Sequence, residues 1–236
     1  MARVVVIGGG WAGCSAALAA KKAGAGEVLL LERTDMLLGT GLVGGIMRNN
    51  GRFTAAEELM ALGAGELIGL ADRAARHRNI DFPGHRHATL YDVVRMEPLV
   101  RALLEETGID IYLEERGIDV IARHDTLEAV VTSRGRRIEG DVFVDATGSF
   151  GPQNNCTRYG NGCVMCIMRC PAFGGRVSIA AKLGIPEQKG VRPGGGLGAF
   201  SGSCKLNKDS LAADLRRRLE EEGVVVLRIP APLRKG

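Results

Sequence analysis

Residues 4–13 read Val4-Val5-Val6-Ile7-Gly8-Gly9-Gly10-Trp11-Ala12-Gly13, and the reading of this stretch decides the fold. Four consecutive β-branched residues predict a parallel strand buried on both faces. Gly8, Gly10 and Gly13 then satisfy G-x-G-x-x-G, and an alanine-rich helix is expected from Ala12 to Ala23, ended by Gly24. A second apolar strand, Val28 to Leu31, runs into Glu32, which lies 19 residues after Gly13. Each part has a physical task. Gly8 makes the strand-to-helix turn, Gly10 lets pyrophosphate oxygens approach the backbone, and Gly13 allows the helix to pack closely on the sheet. Trp11 and Ala12 open the helix, whose free N–H groups face the phosphates. The Glu32 carboxylate is placed to accept from both ribose hydroxyls, and it repels a 2′-phosphate, which disfavours NADP. Strand, glycine turn, helix and acid together are the context that makes this motif a dinucleotide-binding unit.

That unit alone does not separate FAD from NAD. The next segments do. After Glu32 come Arg33 and a glycine-rich stretch with Gly39, Gly41, Gly44 and Gly45, and at 141–148 the chain reads DVFVDATG, an apolar strand ending in Ala146-Thr147-Gly148. Between them, Ile109 to Leu113 and Gly117 to Ala122 read as strands, followed by a hairpin of Leu127 to Thr132 with Arg137 to Gly140. The segment 91–107 reads as a helix, with Pro98 in its first turn and Gly108 after it.

This layout, over roughly residues 1–150, resembles the FAD-dependent oxidoreductases of the glutathione-reductase-like superfamily. The resemblance implies FAD as cofactor. It implies that the loop carrying Gly39, Gly44 and Gly45 passes the pyrophosphate and flavin. It further implies that the Val120 backbone meets the adenine, and that Ala146, Thr147 and Gly148 lie near the pyrophosphate. The expected fold is α/β: a Rossmann-like FAD-binding domain with a parallel sheet, helices and an added β-hairpin layer. Its expected extent is 1–150, with 51–107 as a helical insertion. Residues 151–236 then form a cysteine-rich segment and the start of a second, incomplete domain. Such flavoproteins carry a second Gly-Asp or Gly-Glu turn near the C-terminus, and Gly140-Asp141 stands in the wrong place for it. A missing C-terminal half or a second subunit that completes the flavin site is therefore expected.

Cys156, Cys163, Cys166 and Cys170 fall within fifteen residues as C-x6-C-x2-C-x3-C-P. Three chemistries fit that spacing. The last three cysteines match the end of a ferredoxin run, which points to an iron–sulfur centre able to take single electrons from flavin, although Gly160 stands where the leading cysteine belongs. Cys163-x-x-Cys166 also has the spacing of a redox dithiol. Four thiolates would equally make a zinc site. Unligated cysteines packed as small hydrophobes are the plain alternative. Cys14, in the first helix, and Cys204, in a Ser/Gly loop, read as packing or surface residues, with a somewhat acidic thiol expected for Cys14 at the helix N-terminus.

Remaining features narrow the classes. The net charge of +4 is spread out, and Arg216-Arg217-Arg218 is followed by Glu220-Glu221-Glu222, a solvated helix face that argues against a nucleic-acid patch. No apolar run approaches the roughly 20 residues of a membrane span, so a cytoplasmic protein with no membrane contact is expected. His85 and His87 read as loop residues that are weak catalytic candidates. Residues 54–76 read as one helix loosened by glycines. Residues 193–200, PGGGLGAF, read as a flexible loop, and 210–222 as a helix. The leading function is a flavin-dependent oxidoreductase acting on a small-molecule substrate. A tRNA-modifying flavoprotein and a non-catalytic FAD-binding subunit are the alternatives.

Overall fold

The computed structural model describes residues 1–42, 55–82, 85–148, 176–186, 212–222 and 225. Chain contacts divide it into two units, Met1–Ser203 and Cys204–Gly236. In the first unit, β1 (Arg3–Ile7), α1 (Trp11–Lys22) and β2 (Glu27–Leu31) form the expected βαβ unit. Strands β5 (Asp110–Tyr112) and β9 (Val142–Asp145) complete a parallel sheet in the order β5-β2-β1-β9.

Alternation along β1 and β2 explains why both strands are apolar without a break. Val4, Val6, Val28 and Leu30 face one core, shared with Ala17 and Leu18 of α1 and with Met96, Val100 and Leu104 of α4 (Val93–Glu106). Val5, Ile7, Leu29 and Leu31 face a second core, closed by Val130 and Ile138. These two come from an antiparallel sheet of β6 (Gly117–Arg123), β7 (Thr126–Thr132) and β8 (Arg137–Glu139). A period of two residues sends neighbours to opposite faces, so a strand with cores on both sides has no polar positions to offer.

Three local readings are revised. The expected helix over 54–76 is two short helices, α2 (Ala55–Ala61) and α3 (Glu66–Arg73), separated where Gly63 takes φ +78°. A left-handed residue ends a helix, and glycine adopts it without steric cost. The last residues of that stretch begin a strand. Here β3 (Ala75–Phe82) pairs antiparallel with β4 (His85–Tyr91), so His85 and His87 stand on a strand and not in a loop. Finally, Asp92 caps α4 by accepting from the Val94 N–H at 3.0 Å. The helix thus starts before Pro98, which falls inside it and not in its first turn. Within 51–107 the described residues therefore hold a hairpin as well as helices.

After the region that carries the four clustered cysteines, α5 (Ile179–Lys182) packs Ile179 into the second core. Cys156, Cys163, Cys166, Cys170 and Cys204 lie outside the described residues, as do Gly44, Gly45, residues 193–200 and the end of the chain after Val225. In the second unit, α6 (Ala213–Glu222) carries Arg217–Glu221 and Arg218–Glu222 pairs four residues apart. No helix among the described residues is long and apolar enough to cross a membrane.

The βαβ turn is the tightest point of the fold. A Cβ built on Gly13 would stand 1.7 Å from the Gly8 carbonyl oxygen. Gly13→Ala is therefore expected to displace α1 from β1 and cost about 3 kcal/mol or more, read as a lowered urea midpoint at unchanged m-value.

Candidate functional site

The C-terminal ends of β1, β2 and β9 meet in one place. Gly8 takes φ +107°, and a Cβ there would stand 2.3 Å from the Ala146 carbonyl oxygen, so the β1 turn and the Ala146–Gly148 turn are in direct contact. Gly10 is the opposite case. Nothing lies within 4 Å of a Cβ built on it, and no side chain caps the helix that starts at Trp11. The orphan N–H groups of a first helical turn face an open space, which is what an anionic group needs.

A cavity of about 130 Å³ opens at this point. Gly8 and Gly10 line it from the first turn, Glu32, Arg33 and Thr34 from the end of β2, and Gly39 from the following loop. Ala146, Thr147 and Gly148 close another side. Eight of the residues singled out in the sequence are thus brought together. Trp11, Ala12 and Gly13 are not among its lining residues. Gly13 is a packing position, and the Trp11 ring lies 6.0 Å from that of Tyr91 with its indole N–H 3.3 Å from the Tyr91 hydroxyl. Tyr91 in turn donates to the Gly41 carbonyl at 2.5 Å, fixing the loop that carries Gly39; burial pushes its phenol pKa up, against the Trp11 hydrogen bond.

Val120 does not reach the cavity and packs against the second core. From that part of the chain the cavity is lined by Glu115, Arg116 and Gly117. The reason is a backbone extension of the sheet. Glu32 N–H donates to Tyr112 O, Glu115 N–H to Glu32 O and Glu114 N–H to Thr34 O, each at 2.9 Å. This zipper draws the start of β6 alongside Glu32, three residues before Val120.

Glu32 is buried, and its carboxylate is already organised by the protein. Oε2 accepts from the Gly9 N–H at 2.8 Å, while Oε1 accepts from the Thr34 N–H at 2.9 Å and lies 2.8 Å from the Thr34 hydroxyl. Gly9 is thus a third constrained glycine, since a Cβ would meet Leu37 Cδ2 at 2.8 Å and the Glu32 carboxylate at 3.2 Å. A carboxylate oxygen with one donor keeps acceptor capacity, so Oε2 remains able to take a ribose hydroxyl. The adjacent loop is pinned by Glu97 of α4, a buried carboxylate that accepts from the Leu37 N–H at 3.1 Å and from Arg101.

Arg176 and Val177 also line the cavity, although they follow Gly148 by nearly thirty residues. Asp145, the last residue of β9, brings them there. Its Oδ1 accepts from the Thr147 N–H and hydroxyl at 3.1 and 2.6 Å. Its Oδ2 accepts from the Ala180 N–H at 2.9 Å and from the Ser178 hydroxyl at 3.4 Å. Partial desolvation pushes the Asp145 carboxyl up, but the Thr147 hydroxyl, the Ala180 and Thr147 N–H groups and the Arg176 charge outweigh it, and the net shift is downward. The sequence carried no signal for Asp145 beyond its place beside Ala-Thr-Gly and none for Arg176, because the contacts that join them are long-range.

Cys14 is fully buried and donates to the Gly9 carbonyl at 3.3 Å. The acidic thiol expected at the helix N-terminus is overturned, because burial pushes its pKa up to about 12. Among the described residues no group of three or more His, Cys, Asp or Glu is placed to hold a metal.

The family model for glucose inhibited division protein A matches residues 3–228. The chain belongs to that family. It is, accordingly, a flavoprotein domain of the FAD-dependent oxidoreductase superfamily. Among solved structures it is similar to a ferredoxin reductase of Rhodopseudomonas palustris, at 17% identity over 69% of this chain and 28% of that one, TM-score 0.38. The Diels-Alderase PyrE3 aligns at 21% identity over 62% of this chain and 32% of that one, TM-score 0.48. THI4 of Thermovibrio ammonificans aligns at 20% identity over 62% of this chain and 57% of that one, TM-score 0.45. The chain thus spans less than a third of the length of the first two.

Two outcomes follow from the site chemistry. In the folded chain, alkylation at about pH 8 is expected to spare Cys14 and to modify it only after unfolding, as read by peptide mass mapping. Asp145 has a folded pKa below its unfolded value, so its contribution to stability is complete above about pH 4 and is lost as the pH falls through the folded value. Asp145→Asn is expected to flatten the acid limb of the stability curve measured by urea midpoints.

Proposed function

We propose that this chain binds the adenosine diphosphate portion of FAD in the cavity above α1 and serves a flavin-dependent oxidoreductase. The open space at Gly10, beside an uncapped helix N-terminus and across from Glu32, carries the reading. Anionic pyrophosphate fits there because the helix N-terminus offers N–H donors and a positive dipole end. Gly8 and Gly10 would receive the phosphates, and Glu32 Oε2 would accept from the ribose. The walls formed by Arg33, Arg116 and Gly117 leave room for the base. When bound, FAD supplies the electron-accepting chemistry, and the chain supplies position, charge and exclusion of water.

Membership of the glucose inhibited division protein A family favours the tRNA-modifying kind of flavoprotein, which shares the N-terminal fingerprint and uses cysteines, over a small-molecule oxidoreductase. In that reading the substrate is an RNA base and a partner or further domain contributes the basic surface, since Arg217 and Arg218 of the densest basic run are paired with acids in α6. The clustered cysteines enter as a second element of the proposal. Gly148 and Arg176, which precede and follow the cysteine-bearing stretch in the sequence, both line the cavity. A dithiol or a metal–thiolate centre formed by these cysteines would supply the electron-transfer partner of the flavin in this reading.

Gly10→Ala provides the sharpest test, because the new methyl group meets open space in the protein yet occupies the place of a phosphate. Thermal stability is expected to stay unchanged, and FAD affinity, measured by flavin fluorescence quenching, to fall at least about tenfold, the loss expected from one strong charge-assisted hydrogen bond. Equal FAD affinity in both proteins would remove the reading. An anaerobic visible spectrum with iron and zinc analysis assigns the cysteines, and salt-dependent retention of tRNA separates RNA from small-molecule substrates.

A further inference from the structure

The cavity has a wall that the nucleotide-binding unit does not account for, and that wall comes from beyond the cysteine-bearing stretch. Arg176 and Val177 reach the cavity ahead of α5. Ser178 caps α5 by accepting from the Ala181 N–H at 3.0 Å, and Ile179 is buried in the second core. A Cβ on Gly117 would stand 3.3 Å from Ile179 Cδ1, so the returning segment is pressed against the start of β6. On its other side it is held by one carboxylate. Asp145 binds Thr147 through Oδ1 and both Ser178 and Ala180 through Oδ2. The turn next to the phosphate-binding glycine and the segment that brings Arg176 are therefore fastened by opposite oxygens of the same side chain. Arg176, two residues ahead of Ser178, lines the same cavity as Thr147.

We propose that Arg176 is a further nucleotide-binding residue, supplying positive charge to the pyrophosphate in addition to that of the α1 N-terminus, and that Asp145 is its positioning residue. The inference rests on the reading that the cavity takes the ADP portion of FAD. A guanidinium suits this task because its planar fork matches phosphate oxygens and its charge is permanent. Asp145 serves it twice, by seating Thr147 at the rim and by anchoring the segment on which Arg176 is carried. An asparagine cannot do the same, since its amide nitrogen does not accept and one of the two attachments must be lost.

The test compares the affinities of the intact chain for FAD, ADP and adenosine, by calorimetry, in the wild-type, Arg176→Gln, Asp145→Asn and Asp119→Asn proteins. The Asp119 variant is the structural control. It breaks the Lys182–Asp119 ion pair (3.5 Å) that also ties α5 to β6, and it leaves Asp145 intact. Arg176→Gln is expected to weaken ADP and FAD at least about tenfold, to change adenosine less than about twofold, and to flatten the dependence of ADP affinity on salt. Asp145→Asn is expected to show the same selectivity at smaller size, and Asp119→Asn neither effect. Unchanged ADP affinity in Arg176→Gln, equal losses for ADP and adenosine, or an Asp119 variant that matches Asp145→Asn would overturn the proposal while leaving the FAD reading in place. A wild-type chain that binds none of the three ligands overturns both.

Discussion

The contact between the backbone of Gly8 and its two neighbours, Gly13 on α1 and Ala146 at the end of β9, is the constraint on which the remaining structure depends. A carbonyl that would lie 1.7 Å from a side-chain carbon sets how closely the first helix can lie on the first strand. The same turn abuts Ala146 so closely that β1 and β9 end side by side, and their parallel register runs from Val4↔Val142 to Ile7↔Asp145. Close packing here does more than stabilise the sheet. It puts the uncapped N-terminus of α1, the end of β2 and the Ala146–Gly148 turn around a single opening. In an open parallel sheet this is where a ligand can reach helix N-termini and strand ends together.

Three carboxylates, of which Glu32 and Glu97 are buried, then tune the loops around that opening. Glu32 holds Gly9 and Thr34, Glu97 holds Leu37 together with Arg101, and Asp145 holds Thr147 together with the segment after Arg176. Each joins two stretches of chain that hydrophobic packing alone would leave free to slide. A buried acid costs free energy unless its oxygens are supplied with donors, and each of these is supplied by backbone N–H groups whose positions are thereby set. Pre-organising a site in this way lowers the ordering cost of binding, which is the physical benefit of placing acids where an apolar residue would pack as well.

Much of this was legible in the residues themselves. The glycine spacing, the apolar strands and the acid after β2 are local signals, and Gly8, Gly10, Glu32, Arg33, Gly39 and the Ala146–Gly148 turn all reach the cavity. Long-range contacts account for the rest. The sheet-edge hydrogen bonds of Glu114 and Glu115 bring a segment ahead of Val120 to the cavity wall. The helix expected over 54–76 followed its apolar spacing, but Gly63 in a left-handed conformation divides it and the last residues pair with β4 instead. Cys14 was assigned an acidic thiol from its place in the first helical turn, and burial outweighed that position.

By itself the sequence determined the βαβ unit, the glycine turn that opens its helix and the acid at the end of its second strand. These depend on residues within a few dozen positions of one another, where backbone sterics and hydrophobic period act directly. Tertiary structure alone decided which residues from distant segments share the cavity. Glu115 to Gly117 arrive by edge pairing with the end of β2, and Arg176 arrives because Asp145 and the second core hold the returning chain. Such placements come from hydrogen bonds and packing between segments far apart in the chain, and no periodicity or local motif encodes the distance between them.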